Sequence, residues 1–390
     1  MPSSRSAVPP FEVMTVLDRV ATLRAAGRDV ISLCAGEPAG GAPSAVNAEA
    51  ARLHGEGRPF GYTPALGIRP LREALAGHYR RWYGVDLSPE RVAITTGSSG
   101  GFLLAFLAAF EAGDRVALAR PGYPAYRNIL SSLGCEVVDI DCGPEVRFQP
   151  TVELLAAAHA EAPLAGLILA SPANPTGTMV TAAELAELVA WCSAHGVRLI
   201  SDEIYHGVTY PVGGPRGTSA LEAGGDAVVV SSFSKYWGMT GWRLGWLVLP
   251  EELVGAVDAL AGNLALCPPA PAQHAALRAF DEASYAESDA AVADFAAARA
   301  VLLANAGRLG WGVAAPADGA FYYYADLGPQ LDRWGTSAAY ASALLESAGV
   351  AVTPGRDFDA RLGDRTVRIS FAAGSAAITE AVERIVAFQG

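Results

Sequence analysis

Along the middle of the chain, short unbroken apolar runs alternate with longer stretches in which apolar residues recur every three or four positions. RVAIT (91–95), RVALA (115–119), EVVDI (136–140), GLILA (166–170), VRLIS (197–201) and DAVVVS (226–231) read as strands, with GWRLGWLVL (241–249) as a further one. The stretches near 98–111, 123–133 and 181–195 carry the helical period. Runs of Val, Ile and Leu without polar alternation predict strands covered on both faces, hence an α/β fold with a mostly parallel sheet sandwiched by helices. The chain ends read differently: a Pro- and Gly-rich opening precedes residue 45, and a helical region after about 285 leads to FYYYADL and TVRISFA. The expected organisation is a large domain over 45–284, with the arm at 1–44 and the segment 285–390 together building a smaller α+β domain.

In a sheet of this kind ligands bind beyond the carboxyl ends of the strands, so the residues that follow each run are the candidates. RVAIT is followed by TGSSGG (96–101), RVALA by RPGYPAY (120–126) and GLILA by SPANPTG (171–177); VRLIS leads into DEIY (202–205) and DAVVVS into SFSK (232–235). TGSSGG opens a helix, whose free N–H groups and small residues suit a phosphate; Ser98, Ser99 and Gly100 are the candidates. By itself the same stretch also reads as a turn with an N-cap serine. Arg243, expected on the returning strand, could reach the same anion with its fork of donors, or pair with a surface carboxylate. Asp202 ends an apolar strand, where a lone charge is costly and a buried cation is a natural partner; it also reads as a turn residue. Tyr123, Tyr205 and Asn174 each have an ordinary structural reading too. Lys235 is the odd member, an amine set among serines, glycines and tryptophans where a buried strand ends.

A lysine beside a phosphate site, with a carboxylate able to keep a ring nitrogen protonated, is what a Schiff base with pyridoxal phosphate requires. The chain resembles the class I/II aminotransferases of the aspartate-aminotransferase superfamily, fold type I pyridoxal-phosphate enzymes. The resemblance rests on GEP (36–38), GYTPALGIRPLREAL (61–75), NPTG (174–177), DEIY and SFSKYWGMTGWRLGW (232–246), in that family's order and spacing. It implies that Lys235 carries the cofactor, that Asp202 pairs with its ring nitrogen, and that Asn174 and Tyr205 bond its phenolate oxygen while Tyr123 stacks on the ring. It implies further that Ser98, Ser99, Gly100, Ser232 and Arg243 hold the phosphate, joined by Tyr62 of a second copy in a homodimer with shared sites. Arg368 in TVRISF, with Gly36 and Asn174 beside it, would take the substrate α-carboxylate. The implied reaction is ping-pong transfer of an amino group from an L-amino acid to a 2-keto acid, with Lys235 as the base. The same fold also supports β-elimination, decarboxylation and ring closure. Ser234 and His206 are read as structural.

Departures from the family pattern bear on specificity. AGGAP (39–43) replaces a bulkier, charged segment after GEP, GGFLLAF offers no cation for a distal carboxylate, and Phe321 in DGAFYYY leans the pocket towards apolar or aromatic side chains. Composition narrows the partners. With 28 Lys and Arg against 40 Asp and Glu, scattered to a net charge of −12, nothing suits nucleic acid or an anionic membrane. A transcriptional regulator built on this fold would need a basic DNA-binding domain, and the core pattern begins near residue 31. Five widely spaced cysteines form no CxxC pair or metal cluster, which fits a reducing cytoplasm. MPSSRSAVPP lacks the apolar stretch of a secretory leader, and the longest apolar run, Phe102–Phe110, is too short to span a bilayer.

Overall fold

The computed structural model describes residues 2–210 and 216–390. Twelve strands are found among these residues: β1 (Ile31–Ser32), β2 (Val92–Thr95), β3 (Arg115–Arg120), β4 (Glu136–Asp141), β5 (Gly166–Ala170), β6 (Arg198–Asp202), β7 (Val228–Ser232), β8 (Gly245–Val248), β9 (Tyr322–Asp326), β10 (Val350–Ala351), β11 (Thr353–Pro354) and β12 (Thr366–Ser370). Seven of them form one sheet in the order β2-β8-β7-β6-β5-β3-β4. Its neighbours pair in parallel except β8, which runs antiparallel to both β2 and β7.

The mostly parallel sheet is therefore present, and the reason lies in the strand side chains. Successive residues point to opposite faces: Val228 and Val230 of β7 enter one apolar core with Ile168 and Ile200, while Val229 enters the other with Leu167, Leu169 and Leu199. Both cores are closed by helices. Gly97–Ala109 and Glu251–Ala265 pack together against the β7 and β8 side of the sheet.

A smaller antiparallel sheet, in the order β11-β12-β9, comes from the last quarter of the chain. The opening of the chain joins this region: β1 pairs in parallel with β10, Leu33 N–H donates to the Ala351 carbonyl (2.8 Å) and Ser370 N–H to that of Leu33 (2.8 Å). The helix Glu12–Ala25 is fastened there as well, because Asp357 accepts from the N–H groups of Glu12 (2.9 Å) and Val13 (3.1 Å) in its first turn.

Two expectations change. GWRLGWLVL is a strand only over Gly245–Val248; Thr240–Trp242 is a 3-10 turn and Arg243 has a left-handed φ of 52°. The segment Glu282–Leu309 is long and apolar enough to cross a membrane, although it holds no long uninterrupted apolar run, because its apolarity comes largely from alanines interspersed with charges. Here its helical part, Glu282–Asn305, packs against the C-terminal helix Ser375–Gln389 and buries Tyr285, Phe295 and Leu302.

Candidate active site

Six strands run towards one edge of the large sheet, and the loops after β2, β3, β5, β6 and β7 meet there, while β8 runs the other way and so begins at that edge. The result is a cavity of about 580 Å³ between the large sheet and the β9–β12 region. Gly36, Ser98, Ser99, Tyr123, Asn174, Asp202, Tyr205, Lys235, Arg243 and Arg368 all line it. These are most of the residues singled out from the sequence, and they come from seven separate segments.

Lys235 stands on the turn after β7, where its Nζ donates to the Gly36 carbonyl (2.6 Å). Burial lowers its pKa to about 8, opposed by the Glu37 carboxylate and reinforced by the cations Arg368 and Arg243. A sizeable fraction of neutral amine therefore exists near neutral pH, which an exposed lysine does not offer.

Asp202, the last residue of β6, is 4% exposed. Burial pushes its pKa up to about 6, against the hydrogen bonds from Tyr126 and the Ile204 N–H and the attraction of Lys235. Ile204 N–H donates to Oδ1 (3.0 Å) and the Tyr126 hydroxyl donates to Oδ2. Tyr126 was not singled out from the sequence. Its signal was available: in RPGYPAY it lies three residues after Tyr123, one helical turn along.

The helix Gly97–Ala109 starts with no side chain capping it, which leaves its first N–H groups for a ligand. Gly97 has φ 66°, and a Cβ there would run into the Arg243 guanidinium. The arginine fork thus lies against the helix start, and among the described residues its one internal hydrogen bond is from an Nη to the Thr240 carbonyl (2.8 Å). Ser98 and Ser99 line the cavity, and Gly100 follows in the same turn.

The two serines before the lysine bond each other. Ser232 is 2% exposed; its Oγ accepts from Ser234 N–H (3.0 Å) and lies within hydrogen-bonding distance of Ser234 Oγ (2.8 Å) and the Leu244 carbonyl (3.1 Å). Ser234 is the one on the cavity wall, with Ser232 behind it. Phe321 is also corrected: it is fully buried against Tyr205 and Phe295, and the ring on the wall is its neighbour Tyr322. AGGAP does not line the cavity; Gly41 packs its carbonyl against Gly238 in the turn after Lys235.

Arg368, in the middle of β12, is 5% exposed and has no carboxylate partner among the described residues. One Nη donates to Asn174 Oδ1 (2.8 Å) and the other to the Cys34 carbonyl (2.9 Å), while Nε has no partner. A buried guanidinium held only by neutral acceptors is prepared for an incoming anion. Tyr62 lies outside the cavity and is 85% exposed. The opposite wall, not foreseen, comes from the first helix and the residue before it: Phe11, Val13 and Leu17.

An anion cradle with an arginine fork, a buried carboxylate 202, a low-pKa amine and a second, buried arginine form a donor set that fits a planar cationic ring bearing a phosphate and a carbonyl. No group of three or more His, Cys, Asp or Glu suited to a metal occurs among the described residues.

Comparison with known proteins agrees with this chemistry. The family model for aminotransferase class I and II matches residues 28–385. The chain is 53% identical over 382 residues to valine–pyruvate aminotransferase of Mycobacterium tuberculosis, covering 98% of this chain and 96% of that protein. Its structure superposes on the crystal structure of an aminotransferase from Mycobacterium tuberculosis with a TM-score of 0.94, at 51% identity over 99% of this chain and 98% of that one. The aspartate aminotransferase of Thermus thermophilus with maleate gives 0.92, at 32% identity over 100% and 99%.

Proposed function

Because the chain belongs to the class I and II aminotransferases, and so transfers an amino group between an amino acid and a keto acid, we propose that it does this with pyridoxal 5′-phosphate held covalently on Lys235. The observation that carries the reading is the meeting of Lys235, Asp202 and the Arg243-backed helix start in one cavity. When bound, the cofactor supplies an aldehyde carbon that captures amines and a ring that accepts the electrons of the Cα–H bond.

The remaining work falls to the chain. Asp202 keeps a proton on the ring nitrogen. Asn174 and Tyr205 present donors to the ring's phenolic oxygen, and Tyr123 packs on the ring. Ser98, Ser99, Gly100 and Arg243 hold the phosphate, with Ser234 at the wall and Ser232 behind it. Arg368 grips the substrate α-carboxylate beside Gly36, which fixes the Cα–H bond with respect to Lys235. Lys235 Nζ, once released by the incoming amine, would take the Cα proton and return it to the former aldehyde carbon of the cofactor. Donor and acceptor use the same cavity in turn.

The amino donor in this reading is apolar, of the valine type, with pyruvate as acceptor. Lys235, Arg243 and Arg368 are the only cations lining the cavity among the described residues, and each is committed. Phe11, Val13 and Leu17 would leave a distal carboxylate unpaired, and the relative at 53% identity is named for valine and pyruvate. The working form is a homodimer, in which the exposed Tyr62 reaches the phosphate held by its neighbour. A cytoplasmic location suits five cysteines that are all free. The test supplies the holoenzyme with one donor and no acceptor: keto acid equal to the bound cofactor is expected, with L-valine preferred over L-aspartate in kcat/KM by more than about tenfold. Ammonia or carbon dioxide as product, or a preference for aspartate, refutes it.

A further inference from the structure

Tyr322, the first residue of β9, touches both halves of this site. Its Oη lies 2.7 Å from the Oη of Tyr205. Its ring carries the Arg368 guanidinium, whose Cζ lies 4.3 Å from the ring centroid, and Phe358 lies 4.7 Å from the same carbon. Gly36 makes room for the hydroxyl: a Cβ there would lie 2.6 Å from it. Tyr322 is 1% exposed, yet it lines the cavity.

A phenol has one proton, so the direction of the Tyr322–Tyr205 bond decides what Tyr205 can do. If Tyr205 donates to Tyr322, its proton is spent inside the protein. If Tyr322 donates, the proton of Tyr205 is free for the cavity, and accepting one bond strengthens the bond it gives. Both rings face a cation, but Arg368 Cζ stands 4.3 Å from the Tyr322 centroid and Lys235 Nζ 5.7 Å from that of Tyr205, so Tyr322 is the more acidic phenol and hence the donor. The same ring, with Phe358, holds the guanidinium plane while its two Nη atoms bond Asn174 and Cys34.

We propose that Tyr322 is a positioning residue with two separable roles: its hydroxyl donates to Tyr205 and so aims the Tyr205 proton at the cofactor's phenolic oxygen, and its ring holds Arg368 ready for the substrate carboxylate. The proposal rests on the cofactor reading above.

Two variants separate the roles. Tyr322→Phe keeps the ring and loses the hydroxyl: kcat should fall about tenfold with KM for the amino donor changed less than about twofold. The visible absorbance of the bound cofactor should titrate at higher pH than in the wild type, because its oxygen loses donor strength from Tyr205. Tyr322→Leu also loses the ring, and KM should rise by about tenfold beyond the Phe variant. Unchanged absorbance titration and kcat in Tyr322→Phe would overturn the hydroxyl role. Equal KM in the Phe and Leu variants would overturn the ring role. A wild-type protein lacking a visible band that Lys235→Ala removes would instead sink the cofactor reading, and this proposal with it.

Discussion

Replacing Asp202 by Asn should stabilise the cofactor-free enzyme at neutral pH while ruining it as a catalyst. Folded Asp202 has its pKa raised from 3.8 to about 6, chiefly by burial. It binds its proton about two units more tightly than in the unfolded chain, and each unit corresponds to about 1.4 kcal/mol. The sign follows from linkage: the contribution is complete below pH 4, is lost as the pH rises through 6, and above that leaves an ionised, buried carboxylate costing about 3 kcal/mol. Asparagine removes the charge and keeps the partners, since its oxygen can accept from Ile204 N–H and its amide can donate to the Tyr126 hydroxyl. Asp202 also supports the charge on Lys235, so about 3 kcal/mol is a ceiling. The assay is urea unfolding of apo wild type and apo Asp202→Asn from pH 4 to 8. The difference should grow in favour of Asn between pH 4 and 6 and then level off. Glu203, also buried and raised to about 8, changes both proteins alike. A difference flat with pH, or a less stable Asn protein at pH 7.5, would show that Asp202 is not a desolvated charge awaiting a cation.

Three further outcomes are expected. Lys235→Ala should abolish the borohydride-reducible cofactor link and nearly all turnover; covalent cofactor retained in the variant would contradict the assignment. Capture of pyridoxal phosphate by the apo-enzyme should accelerate with pH and level off just above about 8, where Lys235 becomes neutral; a rate still climbing towards pH 10 would mean an ordinary amine. Tyr62→Phe should weaken cofactor retention by about one to two orders of magnitude, the loss of one charge-assisted hydrogen bond. Exchanging its subunits with those of Lys235→Ala should yield more activity than either parent, and no gain on exchange would refute a shared site.

What the sequence made legible follows a physical division. Side chains that act from the loop directly after a strand could be found by listing strand ends, because the carboxyl edge of a parallel sheet is where such residues meet. Asp202, Asn174, Lys235 and the Ser98 turn came out this way. Residues that act through another side chain were harder to read, even where, like Tyr126 in RPGYPAY, they lie in a strand-end segment. Tyr126 and Tyr322 are aromatic residues in apolar surroundings, and their hydroxyl partners, Asp202 and Tyr205, are 76 and 117 residues away. The place of Ser234 on the cavity wall was equally hidden, since it depends on the sharp turn after β7 and not on residue type. Phe321 immediately precedes β9 and Tyr322 opens it, and that one position decides which of them faces the cavity.

The placement of Arg243 explains why so short a motif can hold both the amine and the anion site. A parallel return to the sheet needs a crossover of about a dozen residues or more, usually with a helix, and delivers the next strand's start at the far edge. β8 instead runs antiparallel to β7, so the segment 233–244 leaves and re-enters the sheet at the same edge. Lys235 and Arg243 are thereby both on that edge. The reversal also inserts β8 between β7 and β2, which brings Gly245 under the turn that follows β2: a Cβ at Gly245 would lie 2.8 Å from the Gly97 carbonyl carbon and from Ser98 N. The one antiparallel strand of the large sheet is thus what seats the helix start beside the arginine, and a side chain at position 245 would push the two apart.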